Sequence, residues 1–153
     1  MKRKRILAMI LAVASCLSLA VSASAANTPN RKATDFRDFD CTAWYAEAVS
    51  AAVDNGLLYG KSSTIIDPNG DMTRAEMAAI INRSFGCYKT ADISQYNDVS
   101  KSKWYYKDVA LAVQMGTYNG RSASAMAPDA PISRQEAMTV VARALELDYD
   151  SDS

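Results

Sequence analysis

The sequence predicts an all-α fold in which two tandem helix-loop-helix repeats pack as a small, pseudo-symmetric helical bundle. Residue types recur at a fixed spacing of 60 positions with no insertion between the copies. The recurring pairs are Asp38 and Asp98, Trp44 and Trp104, Tyr45 and Tyr105, Gly56 and Gly116, Gly60 and Gly120, Pro68 and Pro128, and Arg83 and Arg143. Thr73-Arg74-Ala75-Glu76 returns as Ser133-Arg134-Gln135-Glu136, and each such start precedes apolar residues at helical spacing. A period of this size indicates two copies of one supersecondary unit.

The chain begins with features typical of an export signal over residues 1–25. Four cations at positions 2–5 precede an apolar run, and Ala23 and Ala25 provide a small-residue cleavage site. The alternatives are a membrane anchor and a lipoprotein attached through Cys16. We favour cleavage after Ala25, because the apolar run continues past Cys16. Residues 26–35 then form a short polar linker.

Composition excludes several classes of function. The full chain balances 17 cations against 17 acids, so removing the four signal cations leaves a net charge of −4. A basic field for nucleic acid or anionic lipid is therefore absent. The chain has no histidine, which excludes histidine-dependent nucleophiles and histidine zinc sites.

No cofactor, metal or catalytic residue is expected, and the chain is not predicted to be an enzyme. The segment Asp67–Asp71 spaces oxygen ligands as a calcium loop does, but Met72 stands where such a loop needs glycine. No acid pair is singled out for glycoside hydrolysis.

The first repeat spans residues 36–86. An extended turn at Phe36 leads to a helix with Thr42 as the expected N-cap, and Gly56 is expected to end that helix in a left-handed conformation. Ile66 is expected to hold the following loop against the helices. Thr73 and Glu76 then form a capping box that starts the second helix.

The second repeat, residues 96–147, follows a connection over residues 87–95 and repeats this order. Ser102 is its expected first N-cap, and Ser133 with Glu136 forms its capping box. Residues 148–153 are an acidic tail. The four helices are expected to be 11 to 14 residues long, close to the average for helices.

Two cysteines, Cys41 and Cys87, follow the signal, and both lie in the first repeat. Cys41 precedes one helix and Cys87 follows the next, so their positions would be neighbours if the two helices formed an antiparallel pair. A disulfide is expected on this basis. The alternative is two free buried thiols.

The ordered set of repeated residues resembles the S-layer homology module of bacterial surface proteins, over nearly all of the chain after the signal. The resemblance implies a helical module that anchors proteins non-covalently to the cell wall by binding a secondary cell-wall polysaccharide, often one with a pyruvate ketal. Such proteins carry three modules with ligand grooves between neighbours. Two modules would then be an incomplete form of a three-repeat arrangement. The loop departs from the family pattern at Ser62-Ser63-Thr64 and Ser122-Ala123-Ser124.

Arg74 and Arg134 are the first candidates for binding an anionic sugar in the inter-repeat groove. Capping does not explain them, because a cation at a helix N-terminus opposes the helix dipole. A guanidinium beside free helix amides suits a carboxylate, and the alternative is a salt bridge to an acid such as Asp38 or Asp98. Arg83 and Arg143 stand late in their helices and are assigned a structural role.

Further candidates for the ligand site are the repeated acids, aromatic residues and glycines. These are Asp38, Asp98, Trp44, Trp104, Tyr45, Tyr105, Gly60 and Gly120. The tryptophans are expected mainly in the core, with an edge available to a sugar, and the adjacent tyrosines are expected to be more exposed. The aspartates either cap the extended turns or accept from sugar hydroxyls, and the glycines either allow a ligand close to the backbone or supply positive φ.

The function predicted from these observations is a non-catalytic, secreted cell-surface module that binds secondary cell-wall polysaccharide. No nucleic acid and, after signal cleavage, no membrane is expected as a partner. The alternative is a protein-interaction or surface-assembly module that completes its bundle by dimerising or by packing on another protein of this kind.

Overall fold

The computed structural model describes residues 31–147, and four α-helices account for the regular structure in this part of the chain. A 3₁₀ turn, Ala33–Asp35, precedes α1 (Ala46–Asp54), α2 (Arg74–Phe85), α3 (Tyr106–Gln114) and α4 (Arg134–Ala144). No β-strand occurs within these residues, and an isolated antiparallel bridge joins Thr73 to Pro131. The all-α prediction is confirmed. The predicted signal peptide, Cys16, most of the predicted linker and the acidic tail lie outside the described residues.

The second helix of each repeat begins where the sequence predicts. The Thr73 hydroxyl accepts from the Glu76 amide at 3.2 Å, and the Glu76 carboxylate accepts from the Thr73 amide at 2.8 Å. Ser133 and Glu136 make the same reciprocal bonds at 3.1 and 2.9 Å. Both capping boxes are confirmed, and they satisfy amides that would otherwise lack partners at the start of α2 and α4.

The first helix of each repeat begins later than expected, so the N-caps predicted at Thr42 and Ser102 are wrong. The N-cap positions are Tyr45 and Tyr105, and neither side chain makes a capping hydrogen bond. Thr42 instead donates through both its amide and its hydroxyl to Asp40, at 2.8 and 2.7 Å. That local turn competes with helix formation. Before α3 the Ser102 amide donates to the Ser100 hydroxyl at 3.4 Å, and α1 and α3 have only 9 residues each.

Helix packing crosses the boundary between the repeats. The main partner of α2 is α3, the first helix of the second repeat, and α2 also contacts α4. Within the described residues, α1 and α2 do not pack against each other. The Asn82 amide of α2 donates to the Asp108 carbonyl of α3 at 2.8 Å, which joins the two helices across the boundary.

Two separate clusters of buried apolar residues follow from this packing. The larger cluster combines α2 of the first repeat with α3, the loop and α4 of the second, and its most buried members include Ala78, Ala112 and Met126. The smaller cluster lies in the first repeat around Phe36, Val53 and Ile66. Ile66 and Met126 are 5% and 1% exposed, which confirms that they hold their loops against the helices.

The predicted disulfide is not formed, because both Cys41 and Cys87 are free thiols. The expectation assumed that α1 and α2 pair with each other. Since α2 pairs with α3, the Cys87 sulfur lies against α3, 3.7 Å from the Leu111 carbonyl oxygen. Cys41 is exposed in the turn before α1.

Among the described residues, no helix has the length and apolar character needed to cross a membrane.

Candidate functional site

Two pockets occupy equivalent positions in the two repeats. The smaller one, about 300 Å³, lies where the start of α2 meets the loop and α4 of the second repeat, and we call it the inter-repeat groove. It is lined by Arg74, Thr117, Tyr118, Asn119, Gly120, Arg121, Gln135, Glu136, Thr139, Val140 and Arg143. Three arginines against one glutamate make its wall cationic, which suits an anionic ligand.

Arg74 forms part of the floor of the inter-repeat groove and is only 5% exposed. Its guanidinium donates to the Met126 carbonyl at 3.0 Å, the Asn119 carbonyl at 3.0 Å and the Glu136 carboxylate at 2.8 Å. It also lies over the Tyr118 ring, 5.2 Å from the centroid. Arg74 is therefore fixed in place by bonds to the second repeat.

Glu136 joins a second arginine to the same network. Arg121 donates to its two carboxylate oxygens at 3.0 and 3.1 Å. Hydrogen bonds from Arg121 and from the Ser133 amide, with the charge of Arg74 nearby, lower the pKa of Glu136 to about 2. Glu136 thus stays ionised at neutral pH and offsets one of the positive charges.

Arg143 and Tyr118 bring uncommitted polar groups to the inter-repeat groove. The exposed Arg143 side chain has no hydrogen-bond or ion-pair partner among residues 31–147. The buried Tyr118 hydroxyl likewise has no partner in the described chain, and burial raises the pKa of Tyr118. As far as residues 31–147 show, the Arg143 guanidinium at the groove wall is free for a ligand, together with polar groups from Gln135 and Thr139.

The larger pocket, about 540 Å³, belongs to the first repeat and differs in charge. Asp67, Asp71 and Glu76 outnumber the two cations on its wall, Lys61 and Arg83. Lys61 pairs with Glu76 at 2.8 Å. We call this the first-repeat pocket.

Arg83 closes one side of the first-repeat pocket through contacts within its own repeat. It donates to the Leu57 carbonyl at 3.0 Å and lies 4.0 Å from the centroid of the Tyr59 ring. The structural role predicted for Arg83 is therefore confirmed. Its counterpart Arg143 stands in the last turn of α4, as expected, but makes no such contact in the described part of the chain.

The predicted aspartates use their carboxylates to hold the loops. Asp38 accepts from the Ile66 and Asp67 amides at 2.9 and 2.7 Å, and these bonds help lower the pKa of Asp38. Asp98 accepts from the Met126 and Ala127 amides at 2.9 and 2.6 Å. Neither aspartate lines the inter-repeat groove or the first-repeat pocket.

The predicted glycines each lie under an aromatic ring. A Cβ at Gly60 would lie 2.5 Å from a Phe36 ring carbon, and one at Gly120 would lie 2.4 Å from a Tyr96 ring carbon. Gly60 lines the first-repeat pocket and Gly120 the inter-repeat groove.

The aromatic residues differ from expectation. Trp44 is 94% and Trp104 60% exposed, so their expected core placement is wrong. Both precede their helices, where helical spacing does not apply. Tyr105 is 2% exposed and bonds to Asp129 at 2.9 Å, so its expected exposure is also wrong; burial raises its pKa to about 12. Tyr45 is half-buried against Trp44, and Trp104 reaches the first-repeat pocket.

The structure therefore brings Arg74 and Gly120 together in the inter-repeat groove, and Gly60 and Trp104 together in the first-repeat pocket. Arg134 is exposed and lines neither pocket. Lys61 and Arg121, which line equivalent walls, were missed by sequence reasoning. Their signal is a cation directly after Gly60 and Gly120, at the same spacing as the other pairs.

Comparison with known proteins finds one family model that matches the chain twice. The S-layer homology domain model matches residues 35–78 and 95–138. The chain is 35% identical over 116 residues to the surface-layer 125 kDa protein of Lysinibacillus sphaericus, covering 73% of this chain and 10% of that protein. It is 27% identical over 141 residues to a cell surface protein of Thermoanaerobacter kivui, covering 89% of this chain and 18% of that protein.

An endoglucanase of Bacillus sp. (strain KSM-635) is 26% identical over 145 residues, which cover 94% of this chain and 15% of the enzyme. The chain thus spans less than a fifth of the length of each of these three relatives.

Proposed function

The chain belongs to the S-layer homology family, and we propose on this basis that it is a non-catalytic cell-surface anchoring module that binds an anionic secondary cell-wall polysaccharide in the inter-repeat groove. The observation that carries the proposal is the charge of that groove, where Arg74, Arg121 and Arg143 face a single carboxylate, Glu136. A pyruvylated sugar would bring the carboxylate that such a wall attracts. The endoglucanase activity of one relative is not carried over, because the chain covers 15% of that protein.

Arg143 is the residue proposed to take the anionic group, because its guanidinium is free among the described residues and lines the groove. Arg74, which the sequence also predicts as a binding residue, contributes a fixed positive charge beneath the ligand. Its own hydrogen bonds position it, and Arg121 is held beside it through Glu136. Gly120 lets the Tyr96 ring and two loop carbonyls lie close against the backbone of the groove wall.

The remaining predicted residues contribute indirectly to this proposal. Asp98 shapes the groove by holding the loop that carries Met126, to which Arg74 bonds. Asp38, Tyr45, Tyr105, Trp44 and Arg134 line neither pocket, and Gly60 and Trp104 line the pocket of the first repeat. None of these seven is assigned a direct contact with the polysaccharide in the groove.

The experiment is co-sedimentation with purified cell walls, before and after chemical removal of their polysaccharide. We expect binding to the intact walls and its loss after extraction. Arg143→Ala should raise the dissociation constant about tenfold, the effect of losing a charge-assisted hydrogen bond. Lys107→Ala removes an exposed cation outside both pockets and should bind as the parent does.

Equal recovery from intact and extracted walls would contradict the polysaccharide as ligand. Unchanged binding by Arg143→Ala would reject the inter-repeat groove as the site while leaving wall binding itself in place. Added salt should weaken binding of the parent more than binding of Arg143→Ala, because the parent neutralises more charge on the ligand.

A further inference from the structure

The two repeats carry equivalent acceptor sites for an arginine, but only one is filled from within the described chain. In the second repeat, Arg74 fills the site through the Met126 carbonyl, the Asn119 carbonyl and the Glu136 carboxylate. The positions 60 residues earlier are Ile66, Tyr59 and Glu76, and all three line the first-repeat pocket. The same acceptors therefore surround an open pocket of about 540 Å³ in the first repeat.

The charge of the first-repeat pocket suits a cation. Asp67, Asp71 and Glu76 on its wall outnumber Lys61 and Arg83. One Glu76 oxygen accepts from both Lys61 and the Thr73 amide, whereas in the second repeat both oxygens of Glu136 are used and one of them pairs with Arg74. Within the described residues, the other oxygen of Glu76 has no partner.

In the described part of the chain, two backbone carbonyls beside the site also accept backbone hydrogen bonds in the second repeat but not in the first. The Arg74 amide donates to the Ala130 carbonyl at 3.0 Å and the Ala75 amide to the Pro128 carbonyl at 2.9 Å. The counterparts of those two carbonyls belong to Gly70 and Pro68, on the rim of the first-repeat pocket. Neither accepts a backbone hydrogen bond from residues 31–147.

The start of α4 presents the matching donor groups. Arg134 stands where Arg74 stands in the first repeat, and it is exposed rather than buried. In the described chain its side chain has no partner, and the amides of Arg134 and Gln135 donate to no backbone carbonyl. The start of α4 therefore carries copies of the donor groups with which the start of α2 binds the second repeat. Within the described chain these copies are not used.

We propose that the start of α4 in one copy of this chain docks on the first-repeat pocket of a second copy, with Arg134 pairing with Glu76. The contact between Arg134 and Glu76 would repeat one that the chain already makes internally between Arg74 and Glu136. The two surfaces differ, so the contact is heterologous and leaves a free Arg134 on one copy and a free pocket on the other unless a ring closes.

This association goes beyond the proposed polysaccharide binding and uses a different pocket. Leu58 replaces Tyr118 in the first repeat, so the incoming arginine gains no aromatic face at that position. The contact also lacks the covalent connection that holds Arg74 near its site, and it therefore depends on protein concentration. Lower salt strengthens it, because opposite charges meet.

Sedimentation velocity over a concentration series tests the proposal. We expect the wild-type protein to associate increasingly with concentration. Arg134→Ala and Glu76→Gln should each raise the apparent dissociation constant at least tenfold. Glutamine retains the capping-box bond to Thr73, so the second variant keeps the start of α2. Glu47→Gln makes the same charge change at an exposed position of α1 outside the pocket and should associate like wild type.

Mixing the two variants gives the decisive measurement. The Arg134→Ala copy retains its pocket and the Glu76→Gln copy retains its arginine, so an equimolar mixture should form a dimer that grows no further. Monomeric wild-type protein at millimolar concentration would overturn the proposal, as would an Arg134→Ala variant that associates normally. A mixture that stays monomeric would overturn the head-to-tail contact. Wall binding by the Arg134→Ala variant should remain normal, which separates this result from the polysaccharide proposal.

Discussion

The Arg74 guanidinium at the start of α2 lies 2.8 Å from the Glu136 carboxylate in the first turn of α4, although 62 positions separate them in the sequence. The pair joins the first turn of α2 in one repeat to the capping box of α4 in the next. It gives Arg74 a role that its exposed counterpart Arg134 does not have within the described chain. Two residues at equivalent positions therefore have different structural roles.

Replacing Arg74 should destabilise the protein far more than replacing Arg134. Arg74→Ala removes three hydrogen bonds, one of which is the ion pair with Glu136, and we expect a loss of about 3 kcal/mol in the free energy of unfolding. Arg134→Ala removes an exposed side chain and should change that free energy by less than about 0.5 kcal/mol. Urea denaturation at low protein concentration compares the two, and equal losses would contradict the assigned roles.

Stability should fall as pH drops below the ordinary range of glutamate. The pKa of Glu136 is lowered from 4.5 to about 2, so its contribution is present above pH 4.5 and is lost as the pH falls towards 2. Melting temperatures between pH 7 and pH 2.5 should decline less steeply in Glu136→Gln than in wild type. Glu47→Gln, at an exposed position, should follow wild type, and parallel curves for all three proteins would exclude Glu136 as the source.

Asp98 should be required for the loop that enters the main core. Asp98→Ala leaves the amide of the buried Met126 without its acceptor, and we expect a loss of about 2 kcal/mol in the free energy of unfolding. Asp38→Ala should cost less, because Ile66 belongs to the smaller cluster. Chemical denaturation of both variants measures the difference, and a larger loss for Asp38→Ala would contradict this ordering.

Gly120 and Gly116 should tolerate alanine differently. A Cβ at Gly120 would lie 2.5 Å from the Ser122 carbonyl oxygen and 2.8 Å from that of Ala125, so the backbone must move. We expect Gly120→Ala to lower the free energy of unfolding by about 2 to 3 kcal/mol. Gly116 has φ of +73° but open space around it, so alanine there should cost about 1 kcal/mol. Thermal unfolding of the pair checks the order, which similar losses would contradict.

Both cysteines should react as thiols without prior reduction. We expect a thiol reagent to modify Cys41 rapidly, because it is exposed, and Cys87 more slowly, because its sulfur packs against Leu111. A Cys41→Ser variant should lose the fast phase alone. If neither thiol reacts before reduction and both react after it, the two cysteines form a disulfide and the free-thiol assignment is wrong.

Local signals in the sequence predicted the features that local chemistry determines. The capping boxes at Thr73 and Ser133 and the left-handed Gly56 and Gly116 occur as expected, because each depends on a few neighbouring residues. The N-cap predicted for α1 at Thr42 is wrong, and the cause is again local. A turn between Thr42 and Asp40 competes with the N-cap, and Trp44 lies before the first residue of α1, where helical spacing does not hold.

Longer-range contacts could not be inferred from spacing alone. The sequence singled out Arg74 as unexplained by capping, but its partners Asn119, Met126 and Glu136 lie at least 45 positions away. The repeat also suggested that α1 and α2 pair within one copy, which produced the incorrect disulfide. Equal spacing of residues in two copies does not tell which copy a helix packs against.

The pairing of α2 with α3 has a consequence for chains built from different numbers of these repeats. The duplicated segment and the segment that packs around one core do not coincide, because the larger core takes α2 from the first repeat together with α3, the loop and α4 of the second. In a chain of n repeats arranged in this way, each repeat after the first completes a core with the second helix of the repeat before it, which gives n − 1 complete cores. Adding or deleting one repeat therefore changes the number of complete cores by one, and the shortest chain with a complete core has two repeats.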